Sequence, residues 1–247
     1  MKISRLSQVY ASILINAVYE MRNYPITLAS NIIAPFSVLV LILLVSHGVL
    51  LGISIEGALI TAMISGGVNL QIDLSHMKND FKLQDMLVSS PTKPFTYMLG
   101  MAMSALTNAL PALTVLTILA FMFIHAGPTG TLTILGVFAL IFAFSVALGF
   151  MLSTFGTDIQ QNRAFVSILT VILATIAPIY YPITYIPLPI RYVAYLSPAT
   201  YAAEIAQHAI GDLPLSASNL AIDWIVLVTV SCVLFFVVTK KSHWRDP

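Results

Sequence analysis

Apolar residues in this chain run in blocks of about twenty, separated by short polar or proline-rich breaks, and a block of that length crosses a hydrocarbon core as a helix. Six blocks meet that criterion: Ile26 to Ser46, Ile53 to Ile72, Phe95 to Ile124, Leu132 to Phe155, Ala164 to Pro182, and Leu220 to Thr239. His47 to Gly52 turns between the first two, which puts Glu56 near a water interface. Pro111 interrupts the third block, and His125-Ala126-Gly127-Pro128 makes a tight turn before the fourth. Gly48-Val49-Leu50-Leu51-Gly52 and Gly66-Gly67 are both candidates for close packing, though a lone GxxxG near a turn is a weak signal. No period-two alternation of the β-barrel kind recurs, so α-helices are the natural way to satisfy the backbone in lipid.

Three further segments are neither spans nor ordinary loops. In residues 1–24, Leu6, Val9, Tyr10, Ile13 and Ala17 recur at helical spacing, with Lys2, Arg5, Asn16, Glu20 and Arg22 as polar positions before Pro25. That pattern predicts an amphipathic helix lying along the membrane surface and turning into the first span. Residues 73–94 hold Asp73, Lys78, Asp80, Lys82, Asp85 and Lys93, the densest charge cluster of the chain, mixed with Phe81, Leu83, Leu87 and Val88. The pattern fits a short amphipathic helix ending by Ser90, because Pro91 restricts the preceding residue, and fits a solvated loop equally well.

The segment 180–212 is rich in proline and tyrosine. Pro182, Pro187, Pro189 and Pro198 rule out a continuous helix, and Tyr180, Tyr181, Tyr185, Tyr192 and Tyr195 favour the lipid headgroup level. A broken, partly re-entrant helical hairpin follows. Ser197 is placed to cap a helix with Pro198 at its first position, running over Ala199 to Ile210 and closed by Gly211.

Composition fits lipid as the solvent. Of the 247 residues 58% are hydrophobic and only 9% charged, against about 25% charged in an average soluble domain. With a mean hydropathy of +0.93, so small a globule has too little interior for its apolar side chains. The expected fold class is therefore an all-α integral membrane protein, one transmembrane domain over residues 1–247 with six transmembrane helices. The formal net charge of +1 gives no nucleic-acid surface. Cys232 is the only cysteine, which excludes an internal disulfide and a CxxC redox pair. Residues Leu6-Ser7-Gln8-Val9-Tyr10 do not read as the apolar core of a cleaved signal peptide. Every lysine and arginine except Arg191 falls on the face shared by the termini, the 73–94 loop and the turn at Arg163. By the positive-inside rule that face, with both termini, is cytoplasmic, in a multi-pass protein of the cell membrane.

Catalytic signatures do not appear. The sequence has no G-x-x-x-x-G-K-[ST] phosphate loop, no H-E-x-x-H and no G-x-S-x-G. His47, His76, His125, His208 and His243 are not paired at ligand spacing, so no catalytic, cofactor or metal residue is assigned. Glu56, Glu204 and Asp223 map near the external interface, so the spans carry few of the carboxylates that ion-coupled carriers use. A path powered by another protein, an ion-coupled secondary transporter or channel, and a non-transporting membrane scaffold all stay open from the residues alone.

Two local patterns resemble the membrane subunit, or permease, of ABC-2 type transporters. Asp85-Met86-Leu87-Val88-Ser89-Ser90-Pro91, followed by Gly100, is similar to the family's E-x-L-L-x-[ST]-P segment before the third span. Leu196-Ser197-Pro198-Ala199-Thr200-Tyr201-Ala202-Ala203-Glu204 is similar to its L-x-P-[LAT]-[TS]-[YW]-x-x-E signature before the last span. Asp85 stands for the usual glutamate, Met101 for a frequent lysine and Gln207 for a frequent arginine. The resemblance implies a permease without enzyme activity of its own, serving an exporter with two separate ATP-binding subunits and a second permease copy or paralogue, embedded in membrane lipid. ATP and Mg would be held by the partner ATPase. It implies ATPase coupling through Phe81, Leu83, Asp85 and Leu87, and structural motif roles for Pro91, Gly100, Pro198, Tyr201 and Glu204. Drugs, lipids and glycans are the substrate classes it suggests.

Overall fold

A computed structural model describes residues 5–79, 94–153 and 159–241. Among the described residues the secondary structure is helical throughout, with no strand. The N-terminal segment comprises α1 (Arg5–Ile13), a π-helical turn (Leu14–Val18) and α2 (Tyr19–Asn23). It is followed by α3 (Pro25–Val45), α4 (Leu51–Asn79), α5 (Pro94–Phe123), α6 (Pro128–Ser153) and α7 (Ile159–Ile176). A 3-10 turn (Ile183–Tyr185), α8 (Leu188–Ala194), α9 (Pro198–Ala209) and α10 (Ala217–Lys241) complete the chain.

Among the described residues four helices, α4, α5, α6 and α10, are long and apolar enough to cross a membrane, and shorter apolar stretches lie in α3 (Ile32–Val45) and α7 (Ala164–Leu173). Prolines start helices where φ near −65° is already set and the missing N–H costs nothing: Pro25, Pro94, Pro128 and Pro198 each open one. Pro35 and Pro111 lie inside α3 and α5.

The centre of the bundle is α4. Ile53, Ile55, Ala58, Leu59, Ile60, Ala62, Ile64, Val68 and Leu70 are buried on all sides of it, as in a helix surrounded by others. It packs on α3, α5, α6, α7 and α9, and α6 in turn carries α9 and α10. Glycines allow these contacts. A β-carbon at Gly66 would lie 3.2 Å from Ala109 Cβ of α5, one at Gly67 would collide with Ser145 of α6, and one at Gly149 would lie 2.6 Å from Gly67 O. The Gly66-Gly67 pair thus faces two neighbours at once, and Ser145 donates to Met63 O at 3.1 Å across the same crossing.

Several boundaries differ from the sequence reading. α4 continues to Asn79, so Asp73 is a half-buried helical residue rather than the start of a loop. The expected amphipathic segment with Phe81, Leu83, Asp85 and Leu87, together with Pro91, lies outside the described residues. α7 ends at Ile176, six residues before Pro182, because Pro178 cannot extend the hydrogen-bond ladder. The N-terminal segment turns its polar Ser12, Asn16 and Glu20 toward α5, while Leu6, Tyr10, Leu14 and Val18 are exposed. The apolar stripe expected there divides: Ala17 is buried, Val9 and Ile13 are half-buried, and Leu6 and Tyr10 face outward.

Candidate functional site

Two polar constructions stand out, at opposite ends of α4. The first is a corner built from the chain between α7 and α10. After Ile176 the backbone folds over α4, where Gly57 makes room: a β-carbon there would lie 2.6 Å from Ile179 O. Ile179, Tyr180 and Ile183 are buried beneath this stretch, and burial pushes the Tyr180 phenol up to about 12. The chain then turns through α8 into α9, whose residues from Ala199 to Gln207 are almost all buried.

The corner between α8 and α9 is held by side chains from the Leu196 to Glu204 motif. Thr200 Oγ1 donates to Ala194 O, and Tyr201 Oη donates to Tyr195 O at 2.9 Å. Tyr195 Oη donates to Glu204 Oε1 at 3.2 Å, and the two tyrosine rings lie 5.7 Å apart. Arg191 Nη2 donates to Thr184 O and Ile186 O, which fixes the start of α8 to the 3-10 turn. Gln207 Nε2 donates to Pro178 O at 3.1 Å and so ties α9 to the exit of α7. Gly211 closes α9 with φ +88°, the left-handed conformation glycine adopts at low cost. Ser197 occupies the N-cap position in extended conformation, but its hydroxyl makes no capping bond; Pro198 provides the start instead.

This corner is acidic. Glu204 is 3% exposed, and its carboxyl is raised to about 7, first by burial and then by the nearby Asp223, against the lowering effects of the Tyr195 bond and Arg191. Burial first, and Glu204 next, push the Tyr195 phenol up to about 12. Asp223, near the start of α10, is buried with Oδ2 lacking a hydrogen-bond partner among the described residues. On α4, Glu56 is 2% exposed and neither carboxylate oxygen has such a partner; the charge of Asp212 acts on it. Sequence reading put these acids at the interface and missed their burial. Their signal was an ionisable residue at the edge of an apolar block, which costs too much in lipid to be idle surface.

The second construction is a seam between the N-terminal segment and α5. Gly100 lies against Ser12: a β-carbon there would be 2.9 Å from Ser12 Cβ and 3.7 Å from Val9 Cα. Ser104 donates to Gly100 O at 2.8 Å, leaving its oxygen to accept from the Ser12 hydroxyl at 3.3 Å. Asn16 Nδ2 donates to Ser12 Oγ at 3.2 Å. Asn108 Nδ2 donates to Glu20 Oε2 at 3.0 Å and to Asn16 O at 3.3 Å. Asp73 of α4 lies within electrostatic reach of Glu20 and of Tyr97. Gly100, singled out by its place after the first motif, lies in this seam; Asn108 was not singled out, although a polar amide inside an apolar block was the available sign.

Of the residues expected from the motifs, the structure brings Tyr201, Glu204 and Pro198 together at the α8–α9 corner and puts Gly100 at the seam. Among the described residues no three His, Cys, Asp or Glu side chains are grouped so as to hold a metal ion. The arrangement is suited to holding helices in register. A comparison with curated proteins gives no match. The family model described as ABC-2 type transporter matches residues 8–210, from the N-terminal segment through the end of α9 and so across both constructions. The chain therefore belongs to the ABC-2 type transporter family and is an ABC-type membrane transport component.

Proposed function

We propose that this chain is the membrane-spanning subunit of an ATP-driven exporter, working with two separate ATP-binding subunits and a second permease copy or paralogue. The seam between the N-terminal segment and α5 carries the reading. α5 begins directly after residues 80–93, so force applied there by an ATPase reaches α5 and, through Ser12, Asn16 and Glu20, the N-terminal segment as well. Six spans, α3 to α7 and α10, complete the membrane body, with both termini cytoplasmic and the α8–α9 corner outside as a re-entrant hairpin.

Closure of the ATPases on ATP, with Mg, alternates the access of a path along the bundle. That coupling needs a difference in contact free energy between the two membrane conformations. Phe81, Leu83, Asp85 and Leu87 are the proposed contact residues. The cargo is an amphipathic molecule of the drug, lipid or glycan kind, which suits helices with few charges.

Purification with associated proteins, followed by transport of a broad amphiphile set into vesicles, tests this. Flux should require both ATP and the co-purifying ATPase. Flux driven by an ion gradient alone, with no gain from an ATPase, would replace the proposal with a secondary carrier. Asp85→Lys should reduce stimulation of the partner ATPase while leaving membrane insertion intact; unchanged stimulation in a normally assembled complex removes Asp85 from the coupling set.

A further inference from the structure

The N-terminal segment is covalently continuous with α3 but packed on α5. Its contacts advance together along both helices: Val9 and Ser12 meet Gly100, Ser12 meets Ser104, and Asn16 and Glu20 meet Asn108. The two elements therefore run side by side in the same direction over most of the segment's length. The π-helical turn contributes, since its extra residue per turn changes the facing and its Ala17 is fully buried.

The link to α3 is weak by comparison. Tyr24, between α2 and α3, has φ −126° and ψ 65°, outside the helical region. Pro25 has no N–H to continue the ladder. The segment's substantial packing on α3 is confined to α2, beside that bend, whereas α1 and the π turn both pack on α5. A helix held by a close glycine contact and three bridging polar side chains follows the element it touches; a single non-helical residue beside a proline can absorb the relative rotation.

We propose that the N-terminal segment and α5 form one rigid body, with Tyr24-Pro25 as the hinge to α3, and that Gly100 and Asn108 are the positioning residues that keep them together. The inference rests on the transporter reading for its purpose, since it makes the segment a second lever on α5 rather than an extension of the first span. It does not rest on that reading for its geometry.

The test is distance measurement between spin labels in the full chain with Cys232→Ser, in lipid nanodiscs with its co-purified ATPase, nucleotide-free and ATP-trapped. Ala11 and Leu110 are exposed on the two halves of the proposed body, and Val40 is exposed on α3. The Ala11–Leu110 distance should stay within about 2 Å on trapping, while Ala11–Val40 shifts by more. A shift or split of Ala11–Leu110, or no change in Ala11–Val40, overturns the proposal. A second arm needs no ATPase. Gly100→Ala should broaden the Ala11–Leu110 distribution, because its β-carbon meets Ser12 Cβ, whereas Gly127→Ala, with nothing within 4 Å of the added atom, should leave it unchanged. A distribution unmoved by Gly100→Ala, or broadened equally by Gly127→Ala, overturns the seam even if ATP-driven transport is established, and one broadened by Gly100→Ala alone upholds it even if no ATPase is found.

Discussion

At Gly149 the nearest atom to an added β-carbon is a backbone oxygen, Gly67 O, which has no rotamer to move to. Gly149→Ala must push α6 away from α4 and should lower stability by about 1–3 kcal/mol, the usual cost of overpacking a well-filled core. Gly127, just before α6, has nothing within 4 Å of the added atom, so Gly127→Ala should be neutral or stabilise by about 0.5 kcal/mol through the unfolded chain. Thermal unfolding of both variants in one detergent checks the contrast, and equal shifts would refute it. Glu204 gives a pH prediction. Its carboxyl is raised from 4.5 to about 7, so between those values the folded chain keeps a proton that the unfolded chain has lost. The unfolded state binds fewer protons there, and stability falls as pH rises from about 4.5 to about 7. Glu204→Gln keeps an acceptor for Tyr195 and should flatten that part of the curve. A slope that persists in the variant would assign it to another group.

The helices announce their ends in the sequence because proline and glycine act locally. Pro198 opens a helix as expected, Pro128 opens another four residues before the expected start at Leu132, and Gly211 closes α9 in the left-handed conformation. Gly211→Ala should cost about 1 kcal/mol, since an alanine at φ +88° meets its own backbone; a melting temperature equal to that of the parent would show that the chain relaxes there. Faces are harder to read than ends. The N-terminal segment has apolar and polar rows at helical spacing, and that pattern alone does not say which row meets protein. In a lipid solvent the inference valid for water reverses: polar Ser12, Asn16 and Glu20 gain partners by facing α5, and Leu6 and Tyr10 lose nothing by facing outward. Ser197 shows the other limit. Its residue type fits an N-cap, yet its hydroxyl makes no capping bond while Thr200 Oγ1 binds Ala194 O one turn further on. Such choices among local partners depend on the packed corner, with Tyr201 and Gln207 already in position.

Membrane character was legible from composition because it is a bulk property, and family membership from two short motifs because they stand in the family's order along the chain. The number of spans lies between these cases. Among the described residues α4, α5, α6 and α10 qualify on length and hydropathy, and α3 and α7 contribute shorter apolar stretches, Ile32–Val45 and Ala164–Leu173. Charge offers an independent constraint on the count. Arg191 is the one basic residue outside the proposed cytoplasmic face, and its Nη2 bonds the carbonyls of Thr184 and Ile186, so its position follows from the α8–α9 corner rather than from topogenesis. With α3 and α7 both crossing, the N-terminus and the corner lie on opposite sides of the membrane. If α7 alone failed to cross, the corner would share the side of Arg5. Single cysteines at Arg5 and Tyr185, both exposed, in a Cys232→Ser background separate these arrangements. An impermeant maleimide added to intact cells should label Tyr185→Cys at once and Arg5→Cys only after permeabilisation; labelling of both from one side would remove a span and, with it, the opposed placement of seam and corner on which the proposed ATP-driven alternation depends.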